Sequence, residues 1–334
     1  MAQADVIIIG AGIAGLSAAA EIAPHRHVIV LEREAHPGMH ATGRSAALFV
    51  ENYGNAAVRE MSRASRAALT PYLTQRGVLI VAASGEDAAL EAHLAGSKGM
   101  EEISAEEACR RFPILRPDYV NRAAYEVDAS DIDVDRRMGD LRATLRSHGG
   151  EVVTGAEVTA LQQGWTVQTS KGAFAAPIVV NAAGAWADQI AVLAGVVPLG
   201  LRPCRRSAAI LPAPAGHDIS AWPMLLSASE TFYAKPEAGR MMVSPAEEDE
   251  VAPMDAWPDD MVLAEGLDRY EQAVTEPVTR VERSWAGLRT FAPDRTPVCN
   301  WGAEGFLWLA GQGGYGVQTS PAMAARAAEL VLNR

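Results

Sequence analysis

At 334 residues, 49% hydrophobic and 21% charged, the chain has the balance of an ordinary soluble globular protein with core enough for about two domains. Its 29 Lys and Arg stand against 41 Asp and Glu, and the resulting net charge of −12 speaks against nucleic acid or anionic membrane as partners. No apolar run reaches the roughly 18 residues of a membrane span.

Three scattered cysteines, Cys109, Cys204 and Cys299, point to reduced thiols and a cytoplasmic setting. The first strand begins so early that no room is left for a signal peptide.

Residues 4–34 read as strand, glycine turn, helix, strand and acid. Val6 to Ile9 is an unbroken apolar run, as a parallel strand buried on both faces requires. Gly10 permits the tight turn, Gly12 lets backbone approach a pyrophosphate, and Gly15 lets the helix pack closely on the strand. The helix is expected over 13–23, with the free N–H groups of its first turn, at Ile13 and Ala14, facing the phosphates. Val28 to Leu31 is the second strand, and Glu32 ends it where a carboxylate accepts from ribose hydroxyls, with Arg33 beside it. That acid repels a 2′-phosphate, so FAD or NAD remains.

His36 and His40 stand four apart, but Pro37 and Gly38 between them deny the helix that would align them, and no metal site is expected. In ATGRSAA, Thr42, Gly43, Arg44, Ser45 and Ala46 precede an expected helix and offer N–H and hydroxyl contacts to a phosphate or flavin, or else a simple N-cap. An amphipathic helix is expected over 56–76, kinked at Pro71, with Val58, Met61, Leu69 and Leu73 inward. A strand over 78–83 follows, then helices over 86–97 and 104–111, the second opened by Ser104 and Glu107.

Residues 123–128 read as a strand, and Asp133 opens a helix that Gly149 and Gly150 end. Residues 151–180 read as a β-meander whose last strand runs into NAAGAW, so that Gly184 falls where parallel sheets bind ligands. Beyond residue 199, alternating runs suggest an antiparallel sheet with long connections, interrupted by a helix near 259–273 and preceded by a stretch of prolines and acids at 245–260. Phe306 to Ala310 then repeats the opening pattern of buried strand, glycine turn and helix.

The segments DVIIIGAGIAG, VIVLERE, ATGRSAA, VVNAAGAW, SWAGLRTF and AGQGGYGVQTS occur in the order and spacing of the D-amino acid oxidase-like flavoproteins, which the chain resembles over nearly its whole length. Through PLGLRP, RRSA, WPML and FYAKP it is most similar to the bacterial D-arginine dehydrogenases within them. The resemblance implies an α/β fold in which a Rossmann-like FAD-binding domain (1–76, 132–198 and 289–334) interleaves with an α+β substrate domain built on an antiparallel sheet (77–131 and 199–288). It implies non-covalent FAD, a small-molecule amino acid substrate, and an electron acceptor that is a quinone, a dye or oxygen.

By the same resemblance, Arg206, Tyr233 and Arg289 match carboxylate-binding positions, the carbonyl of Gly314 a contact to the amine, and Tyr53 a pocket position, while Gly313 and Gln318 lie near the flavin. Arg205 is expected on the opposite face of its strand. The chemistry agrees: oxidising an amino acid at Cα requires the carboxylate fixed and the Cα–H bond aimed at flavin N5, and a guanidinium grips both carboxylate oxygens. No side chain need act as a base, because a neutral amine can lose hydride directly.

Leu48 and Gly77 stand where a D-arginine dehydrogenase has a histidine and the acid that holds the guanidinium. Neutral or apolar D-amino acids are therefore expected to be favoured, unless Glu51 or Glu86 supplies a substitute acid. The alternative is a glycine- or sarcosine-type amine oxidase on the same fold.

Overall fold

The computed structural model describes residues 2–334 and is built around two large sheets. The first has six strands in the order Glu151–Val153, Val28–Leu31, Val6–Ile9, Ile178–Asn181, Phe306–Ala310 and Val298–Ala303. All its pairings are parallel except the last. The apolar runs explain the layering, because alternate residues face opposite sides. Val6, Ile8, Val28 and Val30 pack on the helices Ile13–Ile22, Val134–Ser147 and Gly316–Leu332. Ile7, Ile9, Ile29 and Leu31 pack on Trp165, Val167, Phe174 and Ile190. Each wholly buried Ile or Val contributes about 1.5–3 kcal/mol, so this double burial anchors the glycine turn that follows residue 9.

The second sheet has nine strands, in the order Gln312–Gly313, Arg283–Phe291, Arg202–Leu211, Arg240–Ser244, Tyr233–Glu237, Met224–Ser227, Val78–Ala82, Arg122–Glu126 and Met100–Ile103. Only Met224–Ser227 against Val78–Ala82 is parallel. One face carries Leu79, Val81, Leu225, Met241 and Val243 into a core with Phe112, Trp222 and Tyr270. The other face turns Arg206, Met224, Leu226 and Tyr233 toward the C-terminal edge of the parallel sheet. Arg283–Phe291 runs unbroken through residue 289, where the sequence reading set a domain boundary. A three-stranded sheet pairs Leu48–Phe49, Ser130–Ile132 and Leu73–Gln75 in that order.

Three expectations need correction. The helix expected over 56–76 is Ala56–Leu69; Pro71, which lacks an N–H and crowds the preceding turn, ends it in a single 3₁₀ turn, Thr70–Tyr72, and Leu73–Gln75 becomes a strand. The meander is confined to Val158–Ala175, because Glu151–Val153 and Ile178–Asn181 join the parallel sheet; the chain leaves the first at Gly155, whose φ is +65°. Met100–Ile103 is an additional edge strand, and the helix before it shortens to Asp87–Leu94. The cap at Ser104 forms as expected, its side chain accepting from the Glu107 N–H. Among the described residues, no helix is long and apolar enough to cross a membrane, and no three His, Cys, Asp or Glu side chains converge on a metal position.

Candidate active site

A single cleft runs from the glycine turn after Val6–Ile9 to the inner face of the nine-stranded sheet. Its first part is shaped by backbone. Gly10 holds φ +103°, and a Cβ there would collide with the Ala182 carbonyl at the exit of the neighbouring strand. Gly12, Ile13 and Ala14 line the cleft with the start of the helix. Gly15 does not: its missing Cβ makes room for the Gly10 carbonyl, so it serves helix–strand packing and is not a contact residue. Gly43 is likewise outside the lining, pressed on the Gly38 carbonyl and bonded to it through its N–H at 2.8 Å.

Glu32 lies at the end of the second strand and lines the cleft. Its Oε2 accepts from the Ala11 N–H at 2.8 Å and its Oε1 from the Glu34 N–H at 2.9 Å, which fixes the carboxylate across the turn. Thr42 reaches the helix start from 29 residues away, with Oγ1 accepting from the Ile13 N–H at 3.0 Å, so one of the first-turn N–H groups expected to be free is bonded within the protein. Arg33 stacks over Trp186 with its Cζ 4.0 Å from the ring centroid. Gly184, at φ +56°, lies on the same wall.

Arg44 lines the cleft, but its guanidinium is spent on the protein. It donates to the carbonyls of Met39, Ala256 and Ala286 at 3.0, 3.0 and 2.9 Å and to Asp255 Oδ1 at 2.5 Å. These bonds tie coil 245–259 to the cleft wall. Ser45 and Ala46 line the cleft, and Ser45 Oγ accepts from the Ala47 N–H. Gln318 is buried and holds the loop before Tyr53: Oε1 accepts from the Val50 N–H at 3.0 Å, and Nε2 donates to Ser62 Oγ at 2.9 Å.

At the inner end the strand register brings the expected substrate residues together. Arg206 pairs with Gly287 and Arg289 with Cys204 across neighbouring antiparallel strands, so the two arginines share one face. Arg205 points away toward Asp249 and Asp259 and does not line the cleft. Arg289 Nη2 donates to the Tyr53 hydroxyl at 2.6 Å, and Tyr53 packs edge-on against Tyr315. Tyr233 and Gly314 complete this wall, with Gly313, at φ +51°, beside it. Burial opposes the charge of Arg289, but Tyr53 and Glu248 beside it outweigh burial and hold the guanidinium protonated.

Sequence reasoning missed several residues. Glu248 accepts from Arg206, Arg289 and Arg295. Burial pushes its carboxyl up, but Arg295, Arg289 and Arg206 outweigh that and leave it below the usual carboxylate range. Thr290 Oγ1 and Gln312 Nε2 are buried, line the cleft and have no hydrogen-bond partner in the protein. The glycine-shaped helix start and the Glu32 carboxylate at the end of the second strand fit a flavin dinucleotide.

Residues 5–330 match the model of the family described as FAD dependent oxidoreductase (DAO). The chain belongs to this family. FAD is accordingly its cofactor. The bifunctional protein ThiO/ThiG of Synechocystis is 26% identical over 99% of this chain, which spans 52% of that protein's length, and about half is also typical for the other curated relatives it matches. Glycine oxidase from Geobacillus kaustophilus shares the fold at a TM-score of 0.86 and 22% identity, covering 100% of this chain and 96% of that one. FAD-bound L-α-glycerophosphate oxidase from Mycoplasma pneumoniae does so at 0.89 and 18%, with the same coverage.

Other features of the family member bear on its substrate. Leu48, Val50, Val78, Met224 and Leu226 form an apolar patch of the lining, with Leu226 paired across from Tyr233. Gly77 is outside the lining, and Tyr125 fills the space a side chain there would take. Glu51 bonds Arg66 at 3.2 Å, Glu86 accepts from the Ala83 N–H, and neither reaches the cleft. Glu230 does, at its rim. No cysteine lines the cleft, and burial pushes the Cys299 thiol up to about 12.

Proposed function

We propose that this FAD-dependent oxidoreductase is a D-amino acid dehydrogenase that binds its flavin non-covalently and favours neutral or apolar side chains. The observation that carries this reading is the convergence of Arg206 and Arg289 on one face, with Tyr53, Tyr233 and Gly314 around them and an apolar patch alongside. When bound, the flavin supplies the acceptor for the hydride that leaves the substrate's α-carbon.

The chain's own residues supply the positioning. Arg289, braced by Tyr53, takes one edge of the substrate carboxylate and Arg206 the other, which fixes the α-carbon relative to the cleft wall. The Gly314 carbonyl accepts from the amine, the Tyr233 hydroxyl closes the carboxylate site, and the side chain lies on Leu48, Met224 and Leu226. The one carboxylate among the described residues that touches these groups, Glu248, is ion-paired with Arg206, Arg289 and Arg295 and held below the usual carboxylate range, which makes it a weak base and agrees with hydride loss from the neutral amine. The hand of the substrate rests on the family resemblance. Glu230 favours a second reading, a D-arginine dehydrogenase in which this rim acid takes the place of the one missing at Gly77.

The experiment is anaerobic mixing of the FAD-loaded protein with a panel of D- and L-amino acids, glycine and sarcosine, followed by readmission of air. Bleaching by neutral D-amino acids with slow return of colour supports the proposal. Bleaching by glycine or sarcosine with rapid return selects the amine oxidase reading, and bleaching by none of them overturns both.

A further inference from the structure

The arginines proposed to receive the substrate's acid group already hold a carboxylate. Oε1 of Glu248 accepts from Arg206 Nη2 at 3.2 Å and from Arg289 Nη1 at 3.1 Å. Arg295 grips both oxygens, at 3.0 Å to Oε2 and 3.1 Å to Oε1. One oxygen bridging Arg206 and Arg289 is the contact that a substrate carboxylate needs from the same pair. A bidentate grip needs two available N–H groups along one edge of a guanidinium. Arg289 has Nη1 on Glu248 and Nη2 on Tyr53, with the rest of the guanidinium packed over Gly314. A substrate carboxylate that bridges the same two guanidinium groups therefore competes with Glu248 for them.

The two partners are not equally free to leave. Tyr53 belongs to a loop pinned by Gln318 to Val50 and by Glu126 to the Glu51 N–H. Glu248 belongs to coil 245–259, in which only Ala256 is buried beyond residue 246. Trp257 there is 72% exposed. The coil is held chiefly by polar ties: Arg44 on Asp255 and Ala256, Arg206 Nε and the Ser207 N–H on Glu247, and main-chain bonds from Arg205 to Asp249 and from Val251 to Pro203, none of which is made by the Glu248 side chain. Segments with few buried apolar contacts open at low cost.

We propose that Glu248 is a resident competitor for the substrate carboxylate: it occupies the Arg206–Arg289 pair in the free protein and is exchanged for the substrate's acid group on binding, so that this one side chain sets the affinity for carboxylates. The proposal rests on the reading of that pair as the carboxylate clamp. Removing the charge of Glu248 then tightens ligand binding, an effect that a purely structural role would not produce.

The test titrates the FAD-loaded full chain with benzoate, followed by calorimetry and by the visible flavin spectrum, in wild type, Glu248→Gln and Arg289→Gln. The expected result is about tenfold tighter binding in E248Q and loss of binding in R289Q. Unchanged or weaker binding in E248Q, with binding still lost in R289Q, overturns the exchange and leaves the clamp standing. Binding in R289Q equal to wild type overturns the clamp itself. Should E248Q not fold, hydrogen exchange of wild-type residues 245–259 decides: saturating benzoate accelerates it if Glu248 is displaced, and no change overturns the proposal.

Discussion

The guanidinium of Arg289 lies in the space that a side chain at Gly314 would occupy: a Cβ there would fall onto Nη2, Cζ and Nε. The glycine is required by this contact and not by its backbone, since it holds no positive φ. Gly314→Ala is expected to push the guanidinium off its partners, Tyr53 and Glu248, without disturbing backbone, because the colliding atoms are the end of a flexible side chain. KM for the carboxylate substrate should rise about ten- to a hundredfold, with melting temperature within a few degrees of wild type. Steady-state kinetics beside a thermal melt checks both halves.

Gly10 and Gly15 present the opposite case. A Cβ at Gly10 meets the Ala182 carbonyl and one at Gly15 meets the Gly10 carbonyl, so backbone must move. Gly10 also holds φ +103°, which costs an alanine on the order of 1–3 kcal/mol. Either alanine variant should lower the melting temperature and release FAD, measured as flavin retained through gel filtration.

These two sets of glycines also show what was legible in the sequence. The βαβ unit and Glu32 could be read because their chemistry depends on spacing within 30 consecutive residues. The alternation along 202–211 separated Arg205 from Arg206 for the same local reason. Glu248 could not be found this way. It stands 41 residues from Arg289 and 42 from Arg206 on a coil with no periodic pattern, and only the folded register carries it to them. Thr42 and Arg44 line the cleft, but the partners of their side chains, Ile13 and coil 255–256, lie far along the chain, so no local pattern announces those bonds. The strand Met100–Ile103 escaped because MEEI, at a sheet edge, carries no apolar alternation.

The two neighbouring arginines make an internal control. Arg206 lines the cleft and Arg205 faces the opposite side toward Asp249 and Asp259 at 3.7 and 3.9 Å. Arg206→Ala should lower kcat/KM by about a hundredfold, the loss expected on removing a charged hydrogen-bond donor from a buried site. Arg205→Ala should change it less than about threefold, since pairs at that exposure contribute little. Equal losses in both variants would contradict the assignment of faces.

Glu126 gives a pH-dependent prediction. Its side chain is buried beneath the Tyr53 loop, Oε1 accepts from the Glu51 N–H, and Oε2 has no partner. Burial raises its pKa, against hydrogen bonds from Asn52 and Glu51 that lower it, and the Glu51 charge adds to the rise. The folded state thus binds the proton more tightly than the unfolded chain. Its stabilising contribution is complete below the unfolded pKa, near 4.5, and is lost as pH rises through the folded value. Glu126→Gln removes that loss, so the variant's melting temperature should equal or trail wild type near pH 4.5 and move above it as pH rises. Parallel melting curves across the range would show that Glu126 ionises freely in the fold.

Substrate choice separates the two readings of the side-chain pocket. Leu48, Met224 and Leu226 give an apolar side chain a surface to bury, at about 0.8 kcal/mol per methylene, whereas a guanidinium on that surface finds no charge among them and depends on the lining acid Glu230. A buried guanidinium without its carboxylate forfeits roughly 3 kcal/mol, about a hundredfold in binding. D-methionine and D-phenylalanine should therefore exceed D-arginine in kcat/KM. Glu230→Gln should leave the first two unchanged and lower D-arginine further, to the extent that the rim acid reaches it. A tenfold preference for D-arginine in wild type, abolished in E230Q, would instead establish Glu230 as the acid that replaces the one missing at Gly77, because the same substitution would then remove both the charge and the preference.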